Sequence, residues 1–189
     1  MGETSKAHDR RMRDGFFDRF CVGVGIDIGC AGYEAEPDVV APPNARVRPW
    51  DYLDGDAHEM RGLEPESFDF VYSSHLLEHL ADPVRAIRRW WELVEQGGRL
   101  VLSVPHRDLY ERIQVLPSRW NAEHKFFILP DRSEPPNTYS LRGLVWEATG
   151  QEPMMLRTCD AGWEHVPLSV HPPGEYSIEG AWVKPLKRG

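Results

Sequence analysis

Six stretches of the chain carry apolar residues at strand spacing, five of them ended by glycine, proline or an acid. Val22, Val24, Ile26 and Ile28 alternate with smaller residues until Gly29, so residues 22–28 predict a buried strand feeding a glycine turn at 29–32. Residues 45–51 alternate as Ala-Arg-Val-Arg-Pro-Trp-Asp and predict a second strand ending at Asp51, with Pro49 marking an edge or bulge. Residues 66–74 hold Phe68, Phe70, Val71 and Tyr72 and predict a strand of high β-propensity. Residues 99–105 form an apolar run, and residues 154–159 and 175–184 supply two closing strands.

Helical spacing occupies the gaps. Met12, Phe16, Phe17 and Phe20 predict one amphipathic helix over 8–20. A short helix over 76–80 follows the third strand. Asp82-Pro83 reads as an N-cap and first turn, so a helix is expected from Pro83 to Glu95, stopped by Gln96-Gly97-Gly98. Ser140 caps a further helix that ends before Gly150. Pro37, Pro42 and Pro43 leave room for one or two helical turns at most between the first two strands. Residues 106–139 are irregular but carry Trp120, Phe126 and Phe127, which predicts an ordered loop of functional kind. Strand, helix and strand in this order predict a parallel α/β sheet.

Composition narrows the function. A chain of 189 residues is read as one domain, with 8–20 as an N-terminal helix, 22–105 as a core, 106–139 as an acceptor-side loop and 140–189 as closing elements. A net charge of −8 argues against a nucleic-acid footprint. No apolar run approaches the ~20 residues of a membrane span. Three cysteines without metal-type spacing and a polar, charged start predict reduced thiols and a cytoplasmic protein.

Asp27 is an acid inside an apolar strand, placed to accept from the amides of the following turn. That turn, the acid closing the second strand, the Gly55-Asp56-Ala57 turn and the run from Ser67 through Ser73-Ser74-His75-Leu76-Leu77-Glu78-His79-Leu80 occur in one order. Together with Gln96-Gly97-Gly98 before a strand, the set resembles the class I S-adenosylmethionine-dependent methyltransferase family over roughly residues 22–105. The resemblance implies a single Rossmann-like domain with a mostly parallel sheet, an antiparallel last strand and a reduced first crossover helix. It implies S-adenosylmethionine as cofactor, held by Asp27, Gly29, Cys30 and Gly32 at the amino-acid end. Asp51 would take the ribose, Asp56 and Ala57 the adenine, and Ser73 the ammonium. Ala31 stands where the family has its second glycine. A dinucleotide fingerprint is not matched, because Gly23-Val24-Gly25 is followed by strand residues.

His75-Leu76-Leu77-Glu78-His79 matches the inverted zinc-peptidase signature, but it sits at a strand end in a short chain, which disfavours a peptidase. The favoured reading is a Glu78–His79 hydrogen-bonded pair with His75 lining the pocket and no metal assigned. A divalent metal on His75, Glu78 and His79 is the alternative, on the pattern of some family members. Histidine suits a general base at neutral pH, and His75 and His124 are the catalytic candidates, ahead of His79 and His106. The expected function is methyl transfer to an oxygen, nitrogen or carbon of a small-molecule acceptor. The alternative is a non-catalytic cofactor-binding or scaffold protein of the same fold.

Overall fold

A computed structural model describes residues 3–30 and 45–187. The expected short crossover helix, together with Ala31 and Gly32, lies outside the described residues. The chain builds helices α1 (Glu3–Arg13) and α2 (Phe16–Phe20), strands β1 (Val24–Ile28), β2 (Arg46–Trp50) and β3 (Phe68–Ser74), a 3-10 turn (Leu77–His79) and helix α3 (Pro83–Leu93). Strands β4 (Val94–Pro105), β5 (Phe127–Leu129) and β6 (Thr138–Ser140), helix α4 (Leu141–Thr149) and strands β7 (Met155–Cys159) and β8 (Ser177–Val183) complete it.

The main sheet has the order β2-β1-β3-β4-β8-β7. β1, β2, β3 and β4 are mutually parallel, and β8 runs antiparallel between β4 and β7. This is the Rossmann-like architecture expected, with the last strand of the chain reversed. Chain connectivity reverses direction at β1, which puts a crevice at the carboxyl ends of β1 and β2, the usual ligand position in such sheets.

Three local expectations need correction. The helix expected over 8–20 is broken in two, because Gly15 takes a left-handed conformation (φ 62°) between α1 and α2. α3 stops at Leu93 rather than Glu95. Val94 already pairs with Phe68, and residues 95–98 bulge out before Arg99 pairs with Phe70. The 106–139 segment is irregular for the most part but includes β5, which pairs in parallel with β6.

Two apolar clusters cover the sheet. One face buries Ile26, Ile28, Val71, Leu102, Trp90 and Trp182 under α3 and α4. The other buries Phe16, Phe17 and Phe20 of α2 against Phe70, Tyr72 and Val101. α1 is tied down by charge. Arg11 is fully buried and donates to Glu179 of β8 at 2.7 Å, Tyr72 Oη at 2.8 Å and Ser103 Oγ at 2.9 Å. Arg10 and Arg157 converge on the same Glu179.

Candidate active site

The crevice is a cleft of about 250 Å³ lined by Ile28, Gly29, Trp50, Asp51, Asp56 and Ala57, with Leu76 and Leu80 opposite. Its floor is the end of β1. Gly29 has φ 88°, a conformation open to glycine, and its N–H donates to the Trp50 carbonyl at 2.8 Å. A Cβ on Gly29 would meet Leu76 at 3.0 Å, so bare main chain faces the cleft. Asp51 lies at the end of β2, and its Oδ1 accepts the Tyr52 N–H at 2.6 Å.

Asp56 is fixed by a neighbour that the sequence did not flag. The backbone amide of His58 donates to Asp56 Oδ1 at 2.7 Å, and His58 Nδ1 lies 2.8 Å from the same oxygen. These contacts, the amide first, hold the Asp56 carboxyl below its usual range. The loop that follows Asp56 forms no strand. Helix α3 braces it instead. Trp90 Nε1 donates to the Ala57 carbonyl at 2.8 Å. The Arg89 guanidinium donates to the carbonyls of Glu59, Met60 and Leu63 at 2.9, 3.2 and 2.7 Å.

The other expected cofactor residues sit just behind the cleft. Asp27 is 1% exposed on β1, between Pro49 and Tyr72 of the neighbouring strands. Cys30 is buried, and its Sγ lies 3.8 Å from the Trp50 carbonyl. Burial and the nearby Asp27 push its thiol up, so it is a packing residue at neutral pH. Ser73 is the penultimate residue of β3, with its hydroxyl donating to the Ile28 carbonyl at 3.0 Å. Gly32 lies outside the described residues.

Beyond Leu76 the structure brings both catalytic candidates to one carboxylate. His75 takes a left-handed conformation (φ 53°), uncommon outside glycine, and its N–H donates to the Ser103 carbonyl at 2.8 Å. Its Nδ1 lies 3.6 Å from Glu78 Oε1, and its Nε2 lies 3.2 Å from Ser177 Oγ. His124 arrives from the 106–139 segment because the Lys125 N–H donates to the Glu78 carbonyl at 2.8 Å. His124 Nε2 lies 3.9 Å from Glu78 Oε1.

The expected Glu78–His79 hydrogen bond does not form. Glu78 is 1% exposed, and neither of its oxygens accepts a hydrogen bond. Its side chain turns toward His75 and His124, while the His79 ring packs edge-on against His124 with centroids 4.8 Å apart. Burial pushes the Glu78 carboxyl up, but His75 and His124 outweigh it and hold the group below its usual range. Burial likewise lowers His79, which keeps that imidazole neutral at neutral pH. One ligand-type atom from each of Glu78, His79 and His124 lies within 4.8 Å of the others. A buried carboxylate and two imidazoles are donors that a divalent cation takes. Tyr110 flanks His124 with ring centroids 5.8 Å apart, and packs on Tyr176 and His171. Trp120 joins that aromatic wall through His171.

Residues 11–102 match the family model for a methyltransferase domain. The ubiquinone biosynthesis O-methyltransferase of Ralstonia nicotianae is 31% identical over 132 residues, which is 68% of this chain and 50% of that protein. The enzyme of the same name from Saccharophagus degradans is 31% identical over 90 residues, covering 48% of this chain and 37% of that protein. This chain thus spans half or less of the length of these curated relatives. Among solved structures, the N-methyltransferase NodS from Bradyrhizobium japonicum superposes with a TM-score of 0.59 at 14% identity, over 96% of each chain. A putative methyltransferase in complex with the activator Trm112 from Haloferax volcanii gives 0.54 at 13% identity, over 98% of this chain and 95% of that one. The fold is therefore that of Rossmann-like methyltransferases. The match over residues 11–102 and the fold both agree with the resemblance to class I S-adenosylmethionine-dependent methyltransferases read from the sequence.

Proposed function

We propose that this protein transfers a methyl group from S-adenosylmethionine to a small-molecule acceptor. The observation that carries the reading is one cleft holding bare main chain at Gly29, a strand-end acid at Asp51 and the His58-braced Asp56 beside Ala57. The fit is chemical. An acid at the end of β2 accepts a diol, a carboxylate beside an apolar wall of Leu76 and Leu80 suits an adenine amino group, and the negative site suits a sulfonium. S-adenosylmethionine supplies a methyl group made electrophilic by its cationic sulfur.

The chain's own residues do the rest. Gly29, Asp51 and Asp56 bind and orient, which is where much of the acceleration of a displacement arises. The wall of Tyr110, Trp120 and Tyr176 screens the acceptor side from water. His124 takes the acceptor's proton, and His75 approaches the same Glu78 oxygen, Oε1. The sequence matches are to O-methyltransferases, which favours a hydroxyl acceptor over nitrogen or carbon.

A second reading is favoured by the buried Glu78, whose oxygens accept no hydrogen bond. Glu78, His79 and His124 would then hold a divalent cation, which supplies Lewis-acid activation of a bound hydroxyl. Thermal unfolding with and without chelator, repeated with added Mg²⁺, Mn²⁺ and Zn²⁺, separates the two readings. A metal-dependent rise in Tm that Glu78→Gln abolishes supports the cation, and no response to any metal leaves the base. The proposed activity itself is tested by S-adenosylhomocysteine release with a panel of phenols and catechols. Turnover that His124→Gln abolishes supports it, and a chain that binds the cofactor but releases no product with any acceptor supports the scaffold alternative.

A further inference from the structure

We infer that Glu111 is the positioning residue for His124, fixing a hydrogen on Nδ1 so that Nε2 is the atom presented to the acceptor side. This deepens the proposed function and rests on the reading that His124 acts in that site. Glu111 is 1% exposed in the turn-rich start of the 106–139 segment, a place where an acid costs free energy unless each oxygen is satisfied. Both oxygens are. Ser118 Oγ donates at 2.7 Å, the Arg119 N–H donates to Oε2 at 3.2 Å, and His124 Nδ1 lies 2.8 Å from Oε1.

The chemistry of these partners sets the direction of the last contact. The Arg119 amide can only donate, and an ionised carboxylate can only accept, with room on its two oxygens for a further donor beside that amide and the Ser118 hydroxyl. The remaining contact is then made by a hydrogen on His124 Nδ1. Among the described residues Glu111 has no arginine or lysine partner, and its one ion-pair contact is His124. With Nδ1 occupied, Nε2 faces the other way, 3.9 Å from Glu78 Oε1. A histidine oriented through one nitrogen so that the other can act is the arrangement used for bases and for metal ligands alike. The inference therefore holds for either reading of the site.

The shape of the loop serves this contact. Ser118 Oγ, while donating to Glu111, accepts the Asn121 N–H at 3.1 Å, and the His124 N–H donates to the Asn121 carbonyl at 3.1 Å. Glu111, Ser118, Asn121 and His124 thus form one closed set of hydrogen bonds inside an otherwise irregular segment.

The test is long-range proton–nitrogen correlation NMR of the full chain labelled at histidine nitrogens, without added ligand or metal, on the alkaline side of the histidine range. The His124 signals are those missing in His124→Gln. Wild type is expected to carry its ring hydrogen on Nδ1. The isosteric Glu111→Gln, whose amide offers a donor as well as an acceptor, is expected to cut the Nδ1–H population at least twofold, and Glu111→Ala further. A bare Nδ1 in wild type overturns the inference, whether or not the variants fold. So does an unchanged His124 pattern in a folded Glu111→Gln protein. Calorimetry with S-adenosylmethionine on the same wild-type sample keeps the two claims apart. Failure to bind defeats the proposed function, whereas an unmoved tautomer with normal binding defeats only the role of Glu111.

Discussion

Removing the Arg89 guanidinium should loosen the Asp56 side of the cleft, the side proposed for adenine, without touching it. The loop after Asp56 is held by one side chain reaching three carbonyls, at 2.7 to 3.2 Å. A hydrogen bond to a charged group contributes about 1.5–3 kcal/mol, but these three share one donor group that is partly exposed, so they are not additive. Met60 and Leu63 are buried, so their carbonyls would lose a partner that water replaces poorly. Arg89→Ala keeps helix propensity in α3 and should cost about 2–3 kcal/mol. For a chain of this size that is a fall in Tm of roughly 4–12 °C. Arg89→Lys should recover only part, because an ammonium cannot match the guanidinium fork. The assays are urea unfolding for the stability and calorimetry for S-adenosylmethionine, whose affinity should fall with the loosened Asp56-Ala57 turn. A stability within about 0.5 kcal/mol of wild type, the usual range for an uninvolved surface site, would refute the bracing argument.

Three further outcomes follow from the same geometry. Asp51→Ala should weaken S-adenosylmethionine binding by about 1–3 kcal/mol, since a hydrogen-bond acceptor for the ribose is lost; unchanged affinity would show that the wrong acid had been chosen. Gly29→Ala should be strained by about 1–2 kcal/mol from its positive φ, and its methyl would press on Leu76, so both Tm and cofactor affinity should drop. Glu179 should govern the acid limb of stability. Burial raises its carboxyl, but Arg11 and Arg10 outweigh this and bring it down to about 2. Its contribution is then complete above the ordinary carboxylate value and is lost as pH falls from there toward about 2. Glu179→Gln should flatten that limb and cost about 3–5 kcal/mol at neutral pH, because Arg11 is left buried without its carboxylate. An unaltered pH–stability curve would contradict this.

The elements that local chemistry specifies were legible in the sequence. Alternation marks β1 and β2, β-propensity marks β3, the Asp82-Pro83 and Ser140 caps mark the starts of α3 and α4, and Gly29, Asp51, Asp56 and Ala57 do meet in one cleft. What long-range packing decides was not legible. Nothing in the spacing says that Gly15 breaks the N-terminal helix, or that Arg11 is buried under the sheet rather than solvated on a polar face. Arg89 lies on the charged side of α3 and reads as solvent-facing until the loop folds onto it. Glu78 and His79 are adjacent in sequence and suggested a pair, yet the 3-10 turn sends the carboxylate toward His75 and His124. Glu111 precedes His124 by 13 positions in a segment without periodicity, so only the folded loop reveals their contact.

The central claim is that the hollow between Gly29, Asp51 and Asp56 is built for an adenosyl sulfonium. Calorimetric titration of the full chain with S-adenosylmethionine tests it most directly, run beside Asp51→Ala. The account predicts saturable binding near one equivalent, weakened in the variant. No heat of binding and no rise in Tm at millimolar cofactor would contradict it.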